Sequence, residues 1–154
     1  MKLYIIRHAI AMDREISIAR GIAEENRPLT SVGKRKFIKS LRFLKKKIDK
    51  VDLLLTSPYI RAADTAKIFK NIFSVTSFEK EEGLKPGESI PALAKKIFSL
   101  KNKVVALVGH EPDLSRLASY LLTGKNDIVV EFKKGAIARI DINGDEAILK
   151  GLWN

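Results

Sequence analysis

Two histidines and two arginines of this sequence stand where apolar runs end. Arg7 and His8 directly follow the first apolar run, and His110 follows a later one after a single glycine. Arg61 lies one turn into the helical pattern that follows the second apolar run. A neutral imidazole can act as a nucleophile, and guanidinium groups bind phosphoryl or carboxylate oxygens through paired N–H donors. These residue types therefore predict a site for an anionic substrate.

The elements that must position these residues alternate along the chain. Buried strands are predicted at Leu3–Ile6, Val51–Thr56, Val75–Glu79 and Val104–Val108. Amphipathic helices are predicted at Ser31–Ile48, Tyr59–Ile72, Pro91–Leu100 and Pro112–Leu122, the first with Thr30 or Ser31 as its N-cap. Alternation of strands and helices indicates a parallel α/β sheet with right-handed crossovers. The segment Met12–Asn26 is predicted to be a long loop or a short helix, and long loops in compact domains are often functional.

The last thirty residues have a different pattern. Strands are predicted at Ile128–Phe132, Ala136–Ile142 and Glu146–Trp153, and Asn143-Gly144 indicates a tight hairpin between the last two. With no repeat or linker to divide it, the chain is expected to form one domain over residues 1–154. The predicted fold class is a three-layer α/β architecture: a mainly parallel central sheet, helices on both faces and an antiparallel C-terminal hairpin at the edge.

Parallel sheets bind ligands beyond the carboxyl ends of their strands. The two histidines and two arginines singled out above are all predicted at that edge. Helices starting near Pro58 and Pro112 would direct the positive ends of their dipoles toward it. Each residue alone has a structural alternative, because a histidine at a strand end is often only a hydrogen-bonding group and a single arginine often only an ion-pair partner. Their coincidence at one edge favours an active site.

Several kinds of chemistry are excluded by composition. The sequence has no cysteine, which excludes disulfides, thiolate metal sites and cysteine-dependent phosphatases. Two histidines cannot form a three-histidine metal site, and the cationic edge would repel a divalent ion, so no metal or cofactor is expected. Neither a G-x-S-x-G elbow nor a glycine-rich nucleotide loop occurs. Phosphoryl transfer through a histidine nucleophile is the reaction class that fits these residues.

The formal net charge of +11 arises from 29 Lys+Arg against 18 Asp+Glu. Much of it lies on the polar side of amphipathic helices, which indicates a solvated surface. The alternative is a basic protein that binds RNA or another polyanion, but no basic residues interleave with aromatic ones. Neither a nucleic-acid nor a membrane partner is expected. A cytoplasmic location is expected because no apolar run approaches the length of a membrane span. Abundant Lys, Ile and Glu without Gln suggest a thermophilic source.

Four stretches in order also resemble a known family. LYIIRHAIA, RPLTSVGKR, LLTSPYIRAADTA and LVGHEPDLSRL resemble motifs of the histidine phosphatase superfamily, which includes the phosphoglycerate mutases. The sequence is most similar to the short SixA-type phosphohistidine phosphatases. The resemblance implies a phosphoglycerate mutase-like fold with His8 as the phosphorylated nucleophile. It also implies that Arg7 and Arg61 bind phosphoryl oxygens and that His110 is the second histidine of the phosphate pocket. RPLTSVGKR would mark a helix start, a structural role.

The sequence departs from the family pattern at two points. Ala9 replaces the usual glycine after the histidine, a change between small residues. Where mutase-like relatives carry a proton-donating glutamate, this chain has Pro86. The proton donor is therefore left open among three carboxylates, namely Glu82, Glu88 and Glu111.

The missing acid bears on the substrate. An alkyl phosphate releases a poor alkoxide leaving group and benefits from a general acid. Protonated phosphohistidine instead releases a neutral imidazole, which needs little help. The sequence therefore favours phosphohistidine on proteins as the substrate of a metal-independent phosphatase, with a phosphorylated protein as its partner. The alternative is a phosphatase for small phosphomonoesters.

Overall fold

A mixed sheet of six strands runs through residues 1–48 and 50–154, which are the residues that the computed structural model describes. The strands are β1 (Lys2–Arg7), β2 (Lys50–Thr56), β3 (Ser74–Lys80), β4 (Val104–Gly109), β5 (Ile137–Asn143) and β6 (Glu146–Trp153). Their order across the sheet is β3-β2-β4-β1-β5-β6. The first four strands pair in parallel, whereas β5 is antiparallel to both of its neighbours.

Helices follow each of the first four strands. They are α1 (Arg14–Ala19), α2 (Ser31–Leu44), α3 (Ile60–Ile72), α4 (Ile90–Ser99) and α5 (Asp113–Thr123). The predicted cap of α2 is confirmed, because Thr30 Oγ1 accepts a hydrogen bond from the Gly33 N–H at 2.9 Å. This helix ends at Leu44, four residues before its predicted end, and Lys45–Lys47 form a turn.

The two faces of the sheet are covered by different helices. Alternate residues of β1 point to opposite faces, so Leu3 and Ile5 join one hydrophobic cluster while Tyr4 and Ile6 join the other. The first cluster packs against α4 and α5, and the second against α2 and α3. The predicted three-layer fold class with an antiparallel C-terminal hairpin at the edge is confirmed.

The strand predicted at Ile128–Phe132 is wrong, because this segment has no regular secondary structure and lies outside the sheet. Burial alternates over residues 129–132: Val130 and Phe132 are buried in the cluster with α5, whereas Val129 and Glu131 are exposed. The Val129 N–H donates to Ser119 Oγ of α5 at 2.8 Å rather than to a neighbouring strand. Apolar alternation here reflects packing against a helix, which the pattern alone cannot distinguish from pairing within a sheet.

The segment from residue 11 to residue 27 leaves the sheet and returns to it. Ala11 and Leu29 form an isolated antiparallel bridge, and the Met12 N–H donates to the Pro28 carbonyl at 2.8 Å. Between these anchors lie α1 and a short 3₁₀ helix, Glu24–Asn26. The chain also passes close to α2, because a Cβ on Gly33 would collide with the carbonyl oxygen of Ile10.

The lysine-rich side of α2 is solvent-exposed, as the sequence predicted. Lys34, Lys36 and Lys39 are exposed, while Phe37 and Leu41 are buried beneath them. Among the described residues, no helix is both long and apolar enough to cross a membrane.

Candidate active site

The carboxyl ends of β1 and β4 bring the two histidines together. Arg7 and Gly109 are register partners in this parallel pair, so His8 and His110 follow at the same edge. Their ring centroids are 5.2 Å apart. Both line a cavity of about 810 Å³, together with Arg7 and Arg61. The structure therefore places all four residues singled out in the sequence around one cavity.

His8 is held in a defined orientation and tautomer. Its backbone N–H donates to the Gly109 carbonyl at 3.1 Å, and its carbonyl accepts from the Gly135 N–H at 3.1 Å. The Nδ1 atom lies 2.7 Å from the Ala9 carbonyl oxygen. Because a carbonyl can only accept, Nδ1 carries the hydrogen and Nε2 keeps its lone pair.

Burial also keeps this imidazole uncharged. Loss of solvation, followed by the positive charges of Arg61 and Arg7, lowers the pKa of His8 from 6.5 to about 4. At neutral pH the ring is therefore uncharged, with its single hydrogen on Nδ1. An uncharged imidazole with a free Nε2 lone pair has the electronic state that a nucleophile requires.

His110 is neutral as well, but its hydrogen-bonding state differs. Its Nε2 lies 2.8 Å from Ser57 Oγ, which also accepts from the Tyr59 N–H at 3.3 Å. We assign the Ser57 hydroxyl hydrogen to His110 Nε2, which leaves the hydrogen of the ring on Nδ1. That Nδ1 is buried and has no partner among the described residues. Burial, followed by the charge of Arg61, lowers the pKa of His110 to about 2. The ring is thus a neutral donor beside His8.

The two predicted arginines are oriented by protein acceptors. Arg7 Nη1 donates to the Phe132 carbonyl at 2.6 Å, in the segment wrongly predicted as a strand. Arg61 Nη1 donates to the Glu24 carbonyl at 2.7 Å, and its guanidinium lies 5.1 Å from the centre of the Tyr59 ring. Both arginines keep a buried Nε without a partner among the described residues. Each guanidinium group is therefore fixed in orientation, while some of its N–H donors have no protein acceptor among the described residues.

A threonine that the sequence did not reveal connects α3 to the chain just beyond β1, beside His8. Thr65 Oγ1 accepts from the Ala9 N–H at 3.0 Å and donates to the Arg61 carbonyl at 2.7 Å. Thr65 is fully buried one turn after Arg61 in α3. It therefore couples the backbone next to His8 to the helix that carries Arg61.

Arg27 is a third arginine of the cavity, and the sequence interpretation assigned only a structural role to its motif. Its Nη1 donates to the Met12 carbonyl at 2.8 Å, and its Nη2 donates to Glu24 at 2.9 Å. The bridge between Ala11 and Leu29 brings it to the site, because this bridge returns the loop to the end of β1. A usable signal existed in the sequence, namely an arginine three residues before Thr30, the N-cap of α2.

The three carboxylates considered as proton donors occupy different places. Glu111 lines the cavity, burial raises its pKa, and its Oε1 is buried without a partner among the described residues. Glu82 is largely exposed and pairs with Lys85 at 2.9 Å, outside the cavity lining. Glu88 also faces Lys85, at 3.9 Å. The structure therefore brings only Glu111 of these three into the site.

The cavity lining is rich in cations. Arg14 and Lys134 lie on its rim, in addition to the three arginines already described. Within residues 1–48 and 50–154, no group of three or more His, Cys, Asp or Glu side chains is placed to hold a metal ion. The guanidinium groups can bind a tetrahedral oxyanion through their N–H donors. A neutral imidazole beside them can attack its central atom.

Comparison with known proteins identifies a family whose sequence model this chain matches. Residues 3–86 match the sequence model of the histidine phosphatase superfamily (branch 1). A protein of Picosynechococcus sp. is 29% identical over 144 residues, which are 89% of this chain and 82% of that protein.

Solved structures share the fold. The protein histidine phosphatase SixA, solved as a tungstate complex, is similar with a TM-score of 0.84 and 21% identity over 99% of this chain and 96% of SixA. The alpha-ribazole phosphatase of Shigella flexneri is similar with a TM-score of 0.70 and 19% identity, over 99% and 96% of the two chains. The predicted SixA-type, phosphoglycerate mutase-like architecture is confirmed.

Proposed function

Because this chain belongs to the histidine phosphatase superfamily, we propose that it is a metal-independent phosphatase that works through a phosphohistidine intermediate on His8. One observation carries this proposal: the Nδ1–H of His8 is bound to the Ala9 carbonyl, which leaves Nε2 free in a cavity rich in cations. The same ring is uncharged at neutral pH because burial lowers its pKa to about 4.

The reaction proceeds in two displacements. The Nε2 lone pair of His8 forms a bond to phosphorus while the bond to the leaving group breaks. Arg7, Arg61 and the Nδ1–H of His110 donate hydrogen bonds to the phosphoryl oxygens on which charge is spread. Water then attacks phosphorus, the bond to His8 breaks, and inorganic phosphate is released. Positioning and charge stabilisation provide most of the catalysis.

The substrate that we propose is phosphohistidine on a protein. Protonated phosphohistidine leaves as a neutral imidazole, so the reaction proceeds without the strong acid that an alkoxide requires. Glu82, on the β3 side of the site, lies outside the cavity and is paired with Lys85. The similar protein SixA is described as a protein histidine phosphatase and was solved with tungstate, a tetrahedral oxyanion. These features support a phosphorylated protein as the partner.

One observation favours a second candidate, a phosphatase for small phosphoesters. Glu111 lies in the cavity with a raised pKa, so its carboxyl holds a proton more readily than an exposed glutamate does. Such a group could protonate an alkoxide leaving group. The Shigella flexneri relative is described as an alpha-ribazole phosphatase, which places this kind of chemistry on the same fold.

Phosphoryl trapping tests the nucleophile. Wild-type protein is mixed with a histidine-phosphorylated protein that carries ³²P, the reaction is quenched in alkali, and the chains are separated. We expect acid-labile label on the wild type and none on His8→Ala, with turnover lowered on the order of 10⁴-fold or more. His110→Ala, the matched histidine control, should fold and still take up label, but more slowly. Label on His8→Ala, or loss of turnover with EDTA, would refute the mechanism.

A comparison of substrates tests the finer assignment. The ratio kcat/KM is measured for the phosphorylated protein and for an aryl phosphate. We expect the phosphorylated protein to be the better substrate. Equal or greater efficiency on the small ester would favour the second candidate.

A further inference from the structure

One carboxylate contacts three guanidinium groups at the mouth of the cavity. Glu24 Oε1 lies 2.9 Å from Nη2 of Arg27, 3.1 Å from Nη2 of Arg61 and 3.4 Å from Nη2 of Arg14. The backbone carbonyl of Glu24 also accepts from Arg61 Nη1 at 2.7 Å. The three arginines belong to different parts of the chain, namely α1, the end of the 3₁₀ helix and α3. Glu24 therefore ties the loop between residues 11 and 27 to α3.

Arg27 and Arg61 share this carboxylate although their like charges repel each other. Arg61 is 3% exposed, and burial together with the charge of Arg27 lowers its pKa. Without an anion between them, Arg27, whose side chain is less buried than that of Arg61, would turn toward solvent. Partial burial tends to raise the pKa of Glu24, but the hydrogen bond from Arg27 and the charge of Arg61 lower it. Glu24 is therefore ionised at neutral pH and provides the missing counter-charge.

We propose that Glu24 is a positioning residue: its carboxylate holds Arg27 and Arg61 side by side in the cavity and offsets part of their charge. This inference rests on the proposed function, in which Arg61 binds the phosphoryl group that His8 attacks; Arg27 lines the same cavity. Arginines without a nearby carboxylate would bind the phosphate product tightly and release it slowly. Glu24 thus fixes the geometry of the site and weakens its hold on the product.

Two substitutions separate geometry from charge. Glu24→Gln keeps an amide oxygen as acceptor but removes the negative charge, so we expect tungstate to bind about fivefold more tightly. Glu24→Ala also removes the acceptor, so we expect kcat to fall about tenfold as the guanidinium groups lose their orientation. Calorimetry gives the tungstate Kd, and turnover of the phosphorylated protein gives kcat. Glu25→Gln is the matched control, because this exposed neighbour lies outside the cavity lining. The tungstate Kd and kcat should both be unchanged in Glu25→Gln.

The tungstate measurement does not depend on turnover. If the wild type has no phosphatase activity while Glu24→Gln still binds tungstate more tightly, the proposed function fails and the role of Glu24 stands. An unchanged or weaker tungstate affinity in Glu24→Gln would overturn the role of Glu24, even if the unfolding temperature fell, because a merely structural residue would behave in that way. An unchanged kcat in folded Glu24→Ala would also overturn it. Where Glu24→Ala does not fold, the Glu24→Gln affinity decides.

Discussion

Two sides of the cavity are built by different means. The strand-end cluster, which consists of Arg7, His8, Ser57 and His110, is held by main-chain bonds of the sheet. The Ser57 N–H, for example, donates to the Val108 carbonyl at 2.9 Å. The loop cluster, which consists of Arg14, Glu24 and Arg27, is held largely by ion pairs between side chains.

This difference in construction implies a difference in role. Main-chain bonds within a sheet break together, so the strand-end cluster keeps the fixed geometry that bond making requires. The ion pair of Arg14, whose side chain is 69% exposed, contributes little stability, so this outer end of the loop cluster can adjust to the substrate. We therefore expect damage to the strand-end cluster to lower kcat, and damage to Arg14, at the exposed end of the loop cluster, to change binding. Glu24 differs from Arg14 because it also orients Arg61, so its loss lowers kcat as well. The predictions below test this division.

Of the predictions that test this division, the largest effect is expected at Arg61, which pairs with Glu24 of the loop cluster and lines the cavity beside His8 and His110. Arg61→Lys replaces a planar fork with a single ammonium, which cannot bind Glu24 through two nitrogens and a phosphoryl group as well. We expect kcat/KM to fall by about 10²–10³-fold, as when one donor to a transition-state oxygen is lost. Steady-state kinetics on the phosphorylated protein measures it. Arg116→Lys is the control: the Arg116 side chain is half-exposed, pairs with Asp113 and lies outside the cavity lining, so this variant should stay near wild type. A loss of less than tenfold at Arg61 would contradict the assigned role.

The next largest effect is expected for Glu111→Gln. The size of this rate change should depend on the leaving group of the substrate. If its carboxyl donates a proton, Glu111→Gln should slow hydrolysis of an alkyl phosphate by about 10²-fold. Hydrolysis of phosphohistidine should change only a few-fold, because imidazole leaves without that proton. Both substrates are compared on the same protein preparations. Glu82→Gln, outside the cavity, should alter neither rate, and an equal loss on both substrates would show that Glu111 does not act as the acid.

The acid limb of the pH profile tests the burial of His8. The nucleophile acts when neutral, so kcat/KM, corrected for ionisation of the substrate, should stay level down to about pH 5 and fall with a midpoint near the pKa of about 4. The lowered pKa of His8 also affects stability. Between about pH 4 and pH 6.5, the unfolded chain binds more protons at this histidine than the folded chain does. The free energy of unfolding should therefore fall as the pH drops through that window. A kinetic midpoint near the ordinary value would mean that His8 is solvated.

The smallest effect is expected at the outer end of the loop cluster. The Arg14 side chain is 69% exposed and contacts Glu24 at 3.4 Å, so its interaction is screened by solvent. Arg14→Ala should raise KM for the phosphorylated protein by about two- to fivefold at low salt and leave kcat unchanged. Arg20→Ala removes an exposed arginine outside the cavity lining and should have less effect. A fall in kcat for Arg14→Ala would undo the division between the clusters.

Much of the strand-end cluster could be predicted from the amino-acid sequence. Apolar runs followed by His8 and His110 indicate strand ends, and parallel strands present those ends at one edge. The same reasoning failed at Ile128–Phe132, because burial against α5 produces the alternation that sheet pairing also produces. It could not choose between Glu82 and Glu111, since both lie near strand or helix ends in the sequence.

The sequence by itself determined the alternation of elements, the edge that carries the chemistry and the four residues around which the cavity forms. Those features depend on short-range patterns and on the general geometry of parallel sheets. Only the tertiary structure decided that Arg27 and Glu24 reach the cavity and that Thr65 supports the backbone beside His8. These contacts depend on how the loop returns through the bridge between Ala11 and Leu29 and on how α3 packs against β1. Such placements arise from contacts between distant residues, which local patterns do not encode.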